Sequence, residues 1–218
     1  MGVWAVLLFA AVGGPAASSG VAPPTCFGHR ATIVGTDDDD VLRGTRRSDV
    51  IVGLGGDDVI EGRRGSDFIC AAGGADRVTG GRGADHVSGS MGTDRLLGNR
   101  GKDVVRGGSD DDVIVAGRKH DRVSGGPGAD RLDGARGGDR VSGGPEADVI
   151  SGGRGNDWMY GSLGDDSLTA GAGADHLLGG DGGDSLDALD GVGDDNLRGG
   201  AGTDTCSADP GDTVDRCP

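Results

Sequence analysis

Asp recurs every nine residues from Asp40 to Asp184, and again at Asp195 and Asp204. A short carboxylate repeated at fixed spacing among glycines is a hard oxygen ligand offered at regular intervals, which suits a hard divalent cation. Aligned in steps of nine from Gly35, the chain reads GTDDDDVLR, GTRRSDVIV, GLGGDDVIE, GRRGSDFIC and onward without a gap to Asp187. An eighteenth unit, Ala188 to Arg198, carries two extra residues near Asp190 and Gly191, and a nineteenth, GGAGTDTCS, runs from Gly199 to Ser207. The sixth position is Asp in all nineteen units, and the eighth is apolar every time, from Leu42, Ile51 and Ile60 to Leu197 and Cys206. The first position is Gly in fifteen units and Ala in four; the fourth is Gly in fourteen, the exceptions being Asp38, Arg47, Asp110, Lys119 and Glu146. A disordered Gly-Asp-rich tail would hold no such phase.

Other chemistry has little room, since 34 residues precede the repeats and eleven follow them. His86 and His176 lie ten units apart at position seven, about 24 Å along a solenoid with one strand spacing per coil, so they cannot converge. His120 falls on a turn and His29 in the N-terminal segment, which reads as solvated histidines rather than a zinc site or a triad. Strings such as Gly80 to Gly83 are by-products of the repeat and lack the helix that a dinucleotide site needs. Asp37 to Asp40 is no EF-hand, having neither the central Gly nor a Glu at loop position twelve. No catalytic residue and no cofactor site other than cation ligands is expected, so the chain reads as a non-enzyme.

Units such as GGRGADHVS (Gly80 to Ser88), GGPGADRLD (Gly125 to Asp133) and GGRGNDWMY (Gly152 to Tyr160) carry the whole pattern GGxGxDxUx. This resembles the hemolysin-type (RTX) calcium-binding nonapeptide repeat, a parallel β structure. The opening CFGHRATIVGT and the closing TDTC resemble the small free-standing secreted members found in actinobacteria. The resemblance implies an all-β, right-handed parallel β-roll in which six residues of each unit turn, three form a strand, and two units complete a coil. Carried over position by position, it implies calcium ligands on one edge at Asp40, Asp58, Asp76, Asp94, Asp112, Asp130, Asp148, Asp166, Asp184 and Asp204. On the other edge they are Asp49, Asp67, Asp85, Asp103, Asp121, Asp139, Asp157, Asp175 and Asp195. Successive carboxylates on an edge would stand about 4.8 Å apart, close enough for one of several ions to bridge two of them, with turn carbonyls completing the shell. The turns expected to hold an ion least well are those without Gly at position four, at Asp40, Asp49, Asp112, Asp121 and Asp148.

The frame that must position these residues is unusual in composition. Of 218 residues 49 are Gly and only six are Phe, Trp or Tyr, which rules out an ordinary core. Stacked carboxylates around so thin a core imply that folding waits for cations. The formal charge is -15, with 34 Asp against two Glu, a balance that speaks against nucleic acid as a partner. One feature lies outside the repeat pattern: position three is Arg at 46, 64, 82, 100, 118, 136 and 154, every second unit. At a period of 18 these arginines would stack along one edge, and they read either as solvated side chains inherited by duplication of an 18-residue unit or as a strip for an acidic polysaccharide or other polyanion, bound through repeated guanidinium contacts. Repulsion between neighbours, at roughly 0.8 kcal/mol per pair in water, is small enough to bear.

The flanks suggest export. Residues 1–22 read as a signal peptide, with an apolar run from Val3 to Val12 that is too short to span a bilayer and small residues around Ala16, Ala17 and Ser18. Residues 23–34 are expected to form an N-terminal capping segment, 35–207 the β-roll, and 208–218 a C-terminal capping tail. Cys26, Cys70, Cys206 and Cys217, in a secreted chain, imply two disulfides with three possible pairings. Cys206 sits at inward position eight of the last unit, so a tail folding back across Pro210 and Gly211 can bring Cys217 to it. Cys26 is then left for Cys70, a pairing the resemblance also suggests. An extracellular module of structure or interaction is the function these features favour, with a calcium-dependent accessory of an extracellular enzyme as the alternative.

Overall fold

A computed structural model describes residues 23–217, so the expected signal peptide lies outside the described residues. The repeats wind into a parallel β-roll. Its two sheets, of ten and eleven strands, take alternate strands of the chain, and a separate two-stranded antiparallel hairpin joins Thr25–Cys26 to His29–Arg30. Each strand pairs with the strand 18 residues on, as in Val59↔Arg77, Ile60↔Val78 and Arg64↔Arg82, so two nonapeptides make one coil. Near the C-terminus the offset becomes 20 (His176↔Asn196), because the two extra residues of the eighteenth unit are thrown outward around Gly191.

Most strands are longer than the expected three residues. Val59–Arg64, Arg95–Arg100 and Trp158–Leu163 each run from position seven of one unit to position three of the next. The added length is a second, bent leg. Pairing skips position one, and position two takes a left-handed backbone even where it is Leu54 (φ 90°), Arg63 (φ 78°) or Ser162 (φ 98°). Such corners cost about 1–3 kcal/mol at a non-glycine residue and are tolerated only where the surroundings fix them.

Alternation along the first leg points positions six, eight and one inward. Position eight supplies a single file of Ile, Leu, Val and Met side chains, including Ile51, Leu96, Ile150 and Met159, all at most 1% exposed. Alanines at position one, Ala71, Ala116, Ala170 and Ala188, extend this core. The flanking Asp at position six is buried as completely as the apolar file.

A disulfide-tied segment lies at each end. At the N-terminus Ile33–Val34 pairs with the strand Val50–Gly55 as a partial coil, and Thr32 exchanges hydrogen bonds with the Val50 backbone. The Cys26–Cys70 disulfide ties the hairpin down, and its His29 ring stacks 4.2 Å from Phe68. At the C-terminus Thr213–Asp215 adds an eleventh strand beside Asn196–Ala201, and Cys206–Cys217 holds the tail against the last coil. Replacing Cys217 by Ser should therefore free residues after Asp209 to a protease while the central coils stay protected. A loop of this length stabilises by about 2–3 kcal/mol when closed, and limited proteolysis with mass mapping would show whether cleavage stays at the tail.

Candidate metal centre

The position-six carboxylates form two continuous columns. In each, the backbone N–H of one Asp donates to Oδ1 of the Asp one coil later: Asp40 to Asp58 (2.8 Å), Asp85 to Asp103 (2.9 Å), Asp130 to Asp148 (2.8 Å), and so on to Asp184 and Asp204 (3.0 Å). From Asp58 onward this fixes each carboxylate in one orientation and consumes one of its oxygens. The other oxygen, Oδ2, is buried and has no hydrogen-bond partner in seventeen consecutive members from Asp58 to Asp204. A buried polar atom left unpaired costs about 1–3 kcal/mol, more when charged, so a file of seventeen calls for a ligand.

What surrounds these oxygens says which ligand. A Cβ added to Gly80 would lie 2.8 Å from Asp85 Oδ2 and 3.2 Å from the carbonyl oxygen of Gly98, one coil on. The position-one glycine thus leaves a space on which a carboxylate oxygen and a neighbouring carbonyl converge. Among the described residues no three His, Cys, Asp or Glu side chains come together, so a cation there would be held by one or two carboxylates and otherwise by backbone carbonyls. An all-oxygen set of this kind fits calcium and suits neither zinc nor a soft metal. In the units of Asp76, Asp121, Asp175 and Asp195 the alanine methyl at position one occupies part of this space.

The electrostatics agree. Burial pushes the carboxyls of Asp85, Asp94, Asp112, Asp121, Asp148 and Asp175 up to about 7, despite the amide that each accepts, and carboxylates of adjacent coils add to the rise. Asp58, Asp67, Asp130, Asp139, Asp157 and Asp166 are raised to about 6 for the same leading reason. Asp76, Asp103, Asp184 and Asp195 are raised as well, again by burial first. Each group is held against its charged form until a cation offsets the cost.

The first coil differs from the rest. Thr36 donates its N–H (2.6 Å) and its hydroxyl (2.9 Å) to Asp40 Oδ2, and Thr45 does the same for Asp49. Both acceptor oxygens are therefore already satisfied within their own turns. Asp212 plays the matching part at the other end. Its Oδ1 accepts from the Asp195 N–H, continuing the column by one coil, and its Oδ2 accepts from the Asp209 N–H. The sequence placed Asp212 in the tail because its turn is one residue short; the nearby Gly211 was the only trace of the pattern.

The three remaining turns without Gly at position four keep the left-handed bend, at Asp110 (φ 78°), Lys119 (φ 86°) and Glu146 (φ 66°). Asp110 and Glu146 accept the N–H of Gly92 and Gly128 one coil earlier, which holds the strained corner in place. Outside the carboxylate columns, position five builds a second rail: side chains such as Asp39, Asp111, Asn156 and Asp165 accept the amide of the residue 18 later.

The position-three arginines do stack. Arg64, Arg82, Arg100, Arg118, Arg136 and Arg154 are in register on consecutive strands of the ten-stranded sheet, whereas Arg46 precedes the first of these strands. His86 and His176 do not converge: His86 joins the Phe27 and Phe68 rings, where His29 stacks as well, His176 stacks on Trp158, and His120 lies on a turn.

Repeated all-oxygen cradles on both edges of a parallel solenoid define a calcium-binding β-roll. The family model of the RTX calcium-binding nonapeptide repeat, which spans four copies, matches residues 34–69, 71–105, 106–141, 136–168, 160–192 and 188–214, and the chain belongs to that family. No curated protein matches it. No helix among the described residues is long and apolar enough to cross a membrane.

Proposed function

We propose that this is a secreted calcium-binding protein whose folding is coupled to filling a row of calcium sites, and that it serves as a structural or interaction module. The observation that carries the reading is the file of seventeen buried Oδ2 atoms without a partner, several of them, as at Gly62, Gly80 and Gly98, facing a space that a carbonyl of the next coil also borders. Calcium bound there supplies positive charge between carboxylates that otherwise repel, and the columns from Asp58 to Asp204 supply the ligands. Asp40 and Asp49, satisfied by Thr36 and Thr45, together with Asp212 act as end turns that finish the columns without demanding an ion. Two disulfides suit a non-reducing compartment, which supports export. The arginine column favours a surface for a polyanion as the interaction that such a module serves.

Titration calorimetry on the chelator-treated protein tests this reading. Uptake of several calcium ions per chain is expected, with a midpoint at or below about 0.1–1 mM, the range of extracellular modules. Asp103→Asn together with Asp121→Asn should reduce the number bound. No heat and no binding at millimolar calcium would overturn the proposal.

A further inference from the structure

The arginine column runs into a second feature on the same edge. On three consecutive coils the chain continues from Arg118, Arg136 and Arg154 through a turn to Arg122, Arg140 and Trp158, which lie side by side in the eleven-stranded sheet. Between them lies an open groove of about 610 Å³ lined by His120, Arg140, Asn156 and Trp158 over a floor of Gly137, Gly138 and Gly155. Trp158 is 42% exposed in a chain with few aromatics, and its ring is held by His176, stacked 4.0 Å away.

The polar rim of this groove has one sense. His120 Nδ1 lies 2.7 Å from the Gly138 amide nitrogen and 3.1 Å from the Gly138 carbonyl oxygen, and in the tautomer that accepts the shorter bond, from the N–H, the ring proton sits on Nε2. Asn156 Oδ1 accepts the Ala174 N–H, which leaves its amide NH₂ free. The Arg140 guanidinium and the indole N–H are donors only. The side chains therefore offer donors with no uncommitted acceptor, next to an aromatic face, while the acidic residues of these three turns, Asp121, Asp139 and Asp157, are turned inward and buried.

We propose that this groove is a binding subsite for one carboxylated pyranose unit of an acidic polysaccharide, whose chain continues along the arginine column. This rests on the polyanion reading above and deepens it. The ring face takes the C–H face of the sugar, the donors take its carboxylate and hydroxyl oxygens, and the column, at about 4.8 Å per coil, takes the charges of neighbouring units. A single aromatic among cations fits a sugar better than a nucleic acid strand, which is usually read by several successive aromatic platforms.

The test uses the full chain carrying Trp4→Phe, so that Trp158 is its only tryptophan, in millimolar calcium. Adding a hyaluronan oligosaccharide should change the Trp158 fluorescence saturably, while neutral dextran should not. Trp158→Ala, followed by calorimetry, should weaken binding about tenfold, and Arg140→Gln, an exposed change in the same groove, should also weaken it without altering the circular dichroism. Arg82→Gln with Arg100→Gln, outside the groove, should weaken binding but leave the fluorescence change at saturation intact. Saccharide binding that is lost in the column variant yet leaves Trp158 silent and is unaffected by Trp158→Ala or Arg140→Gln would overturn the subsite and leave the polyanion reading standing. No saccharide binding at all would overturn both, and tighter binding of a single-stranded oligonucleotide than of the saccharide would overturn the choice of ligand.

Discussion

In a calcium chelator at pH 8 the chain is expected to lose most of its β signal in far-ultraviolet circular dichroism, and in the same chelator at pH 5 to regain much of it. The reason lies in the two Asp columns. In the cation-free fold burial raises twelve of these carboxyls, Asp58, Asp85 and Asp148 among them, to about 6 or 7, whereas in the unfolded chain they titrate at the ordinary aspartate value near 4. Between those limits the folded state holds protons that the unfolded state has released, so the cation-free fold loses stability as pH rises. Its stability is fully present below about pH 4 and is lost as pH passes through about 6 to 7. Calcium replaces the proton as the counter-charge, so with millimolar calcium the difference should disappear: the fold should persist at pH 8 as at pH 5, and its need for calcium should be strongest at pH 8. A chelated protein with the same spectrum at pH 5 and pH 8 would remove the carboxylate columns as the origin of calcium dependence. Equal spectra with and without calcium at pH 8 would count against metal-coupled folding itself.

The columns were legible in the sequence because a roll with an 18-residue coil turns strict periodicity directly into neighbourhood. Once Asp40 and Asp58 share a phase, their adjacency follows, and the in-register arginines from Arg64 to Arg154 follow by the same rule. The bent second leg of each strand was not legible. It depends on position two adopting a left-handed backbone with residues as unlike as Leu54, Arg63 and Gly153, so no residue type marks it. The end turns escaped for another reason. Thr36 and Thr45 look like neutral variants of the second position until their N–H and hydroxyl groups are seen on Asp40 and Asp49. Asp212 was hidden by a one-residue deletion, which breaks a periodic reading while the backbone absorbs it in a tighter turn. The groove at Trp158 joins residues from three consecutive turns and the eleven-stranded sheet, and only the fold brings His120, Arg140 and Trp158 to one place.

Gly83→Ala is expected to prevent the roll from closing even in saturating calcium, whereas Gly73→Ala is expected to be nearly silent. Gly83 is a position-four glycine with φ 142°, and a Cβ there would collide with the carbonyl group of Gly65 in the coil before it. The obstacle is backbone in a paired coil, which has no rotamer to retreat to. Left-handed strain alone costs about 1–3 kcal/mol, and relief of the overlap by opening the coil adds about as much again. At Gly73 an added Cβ would meet only the Leu54 carbonyl and the Met91 methyl at 3.8 Å, an ordinary contact. Because each coil touches only its two neighbours, the damage at Gly83 should split the roll into an N-terminal and a C-terminal block rather than weaken it evenly. Hydrogen exchange in calcium should then show lost protection in the coils around Gly65 and Gly83 and retained protection near Met159 and Leu177. Lys119 already places a side chain at position four of its own turn, with φ 86°, so the position does not exclude Cβ by rule. The overlap with the preceding coil's carbonyl recurs at the other position-four glycines and is deeper at Gly83 than at Gly92, whose φ is 106°. If Gly83→Ala folded with unchanged calcium midpoint and exchange, the turn would have to relax toward the Lys119 geometry at negligible cost, and close coil-to-coil approach would lose its place as a determinant of the fold.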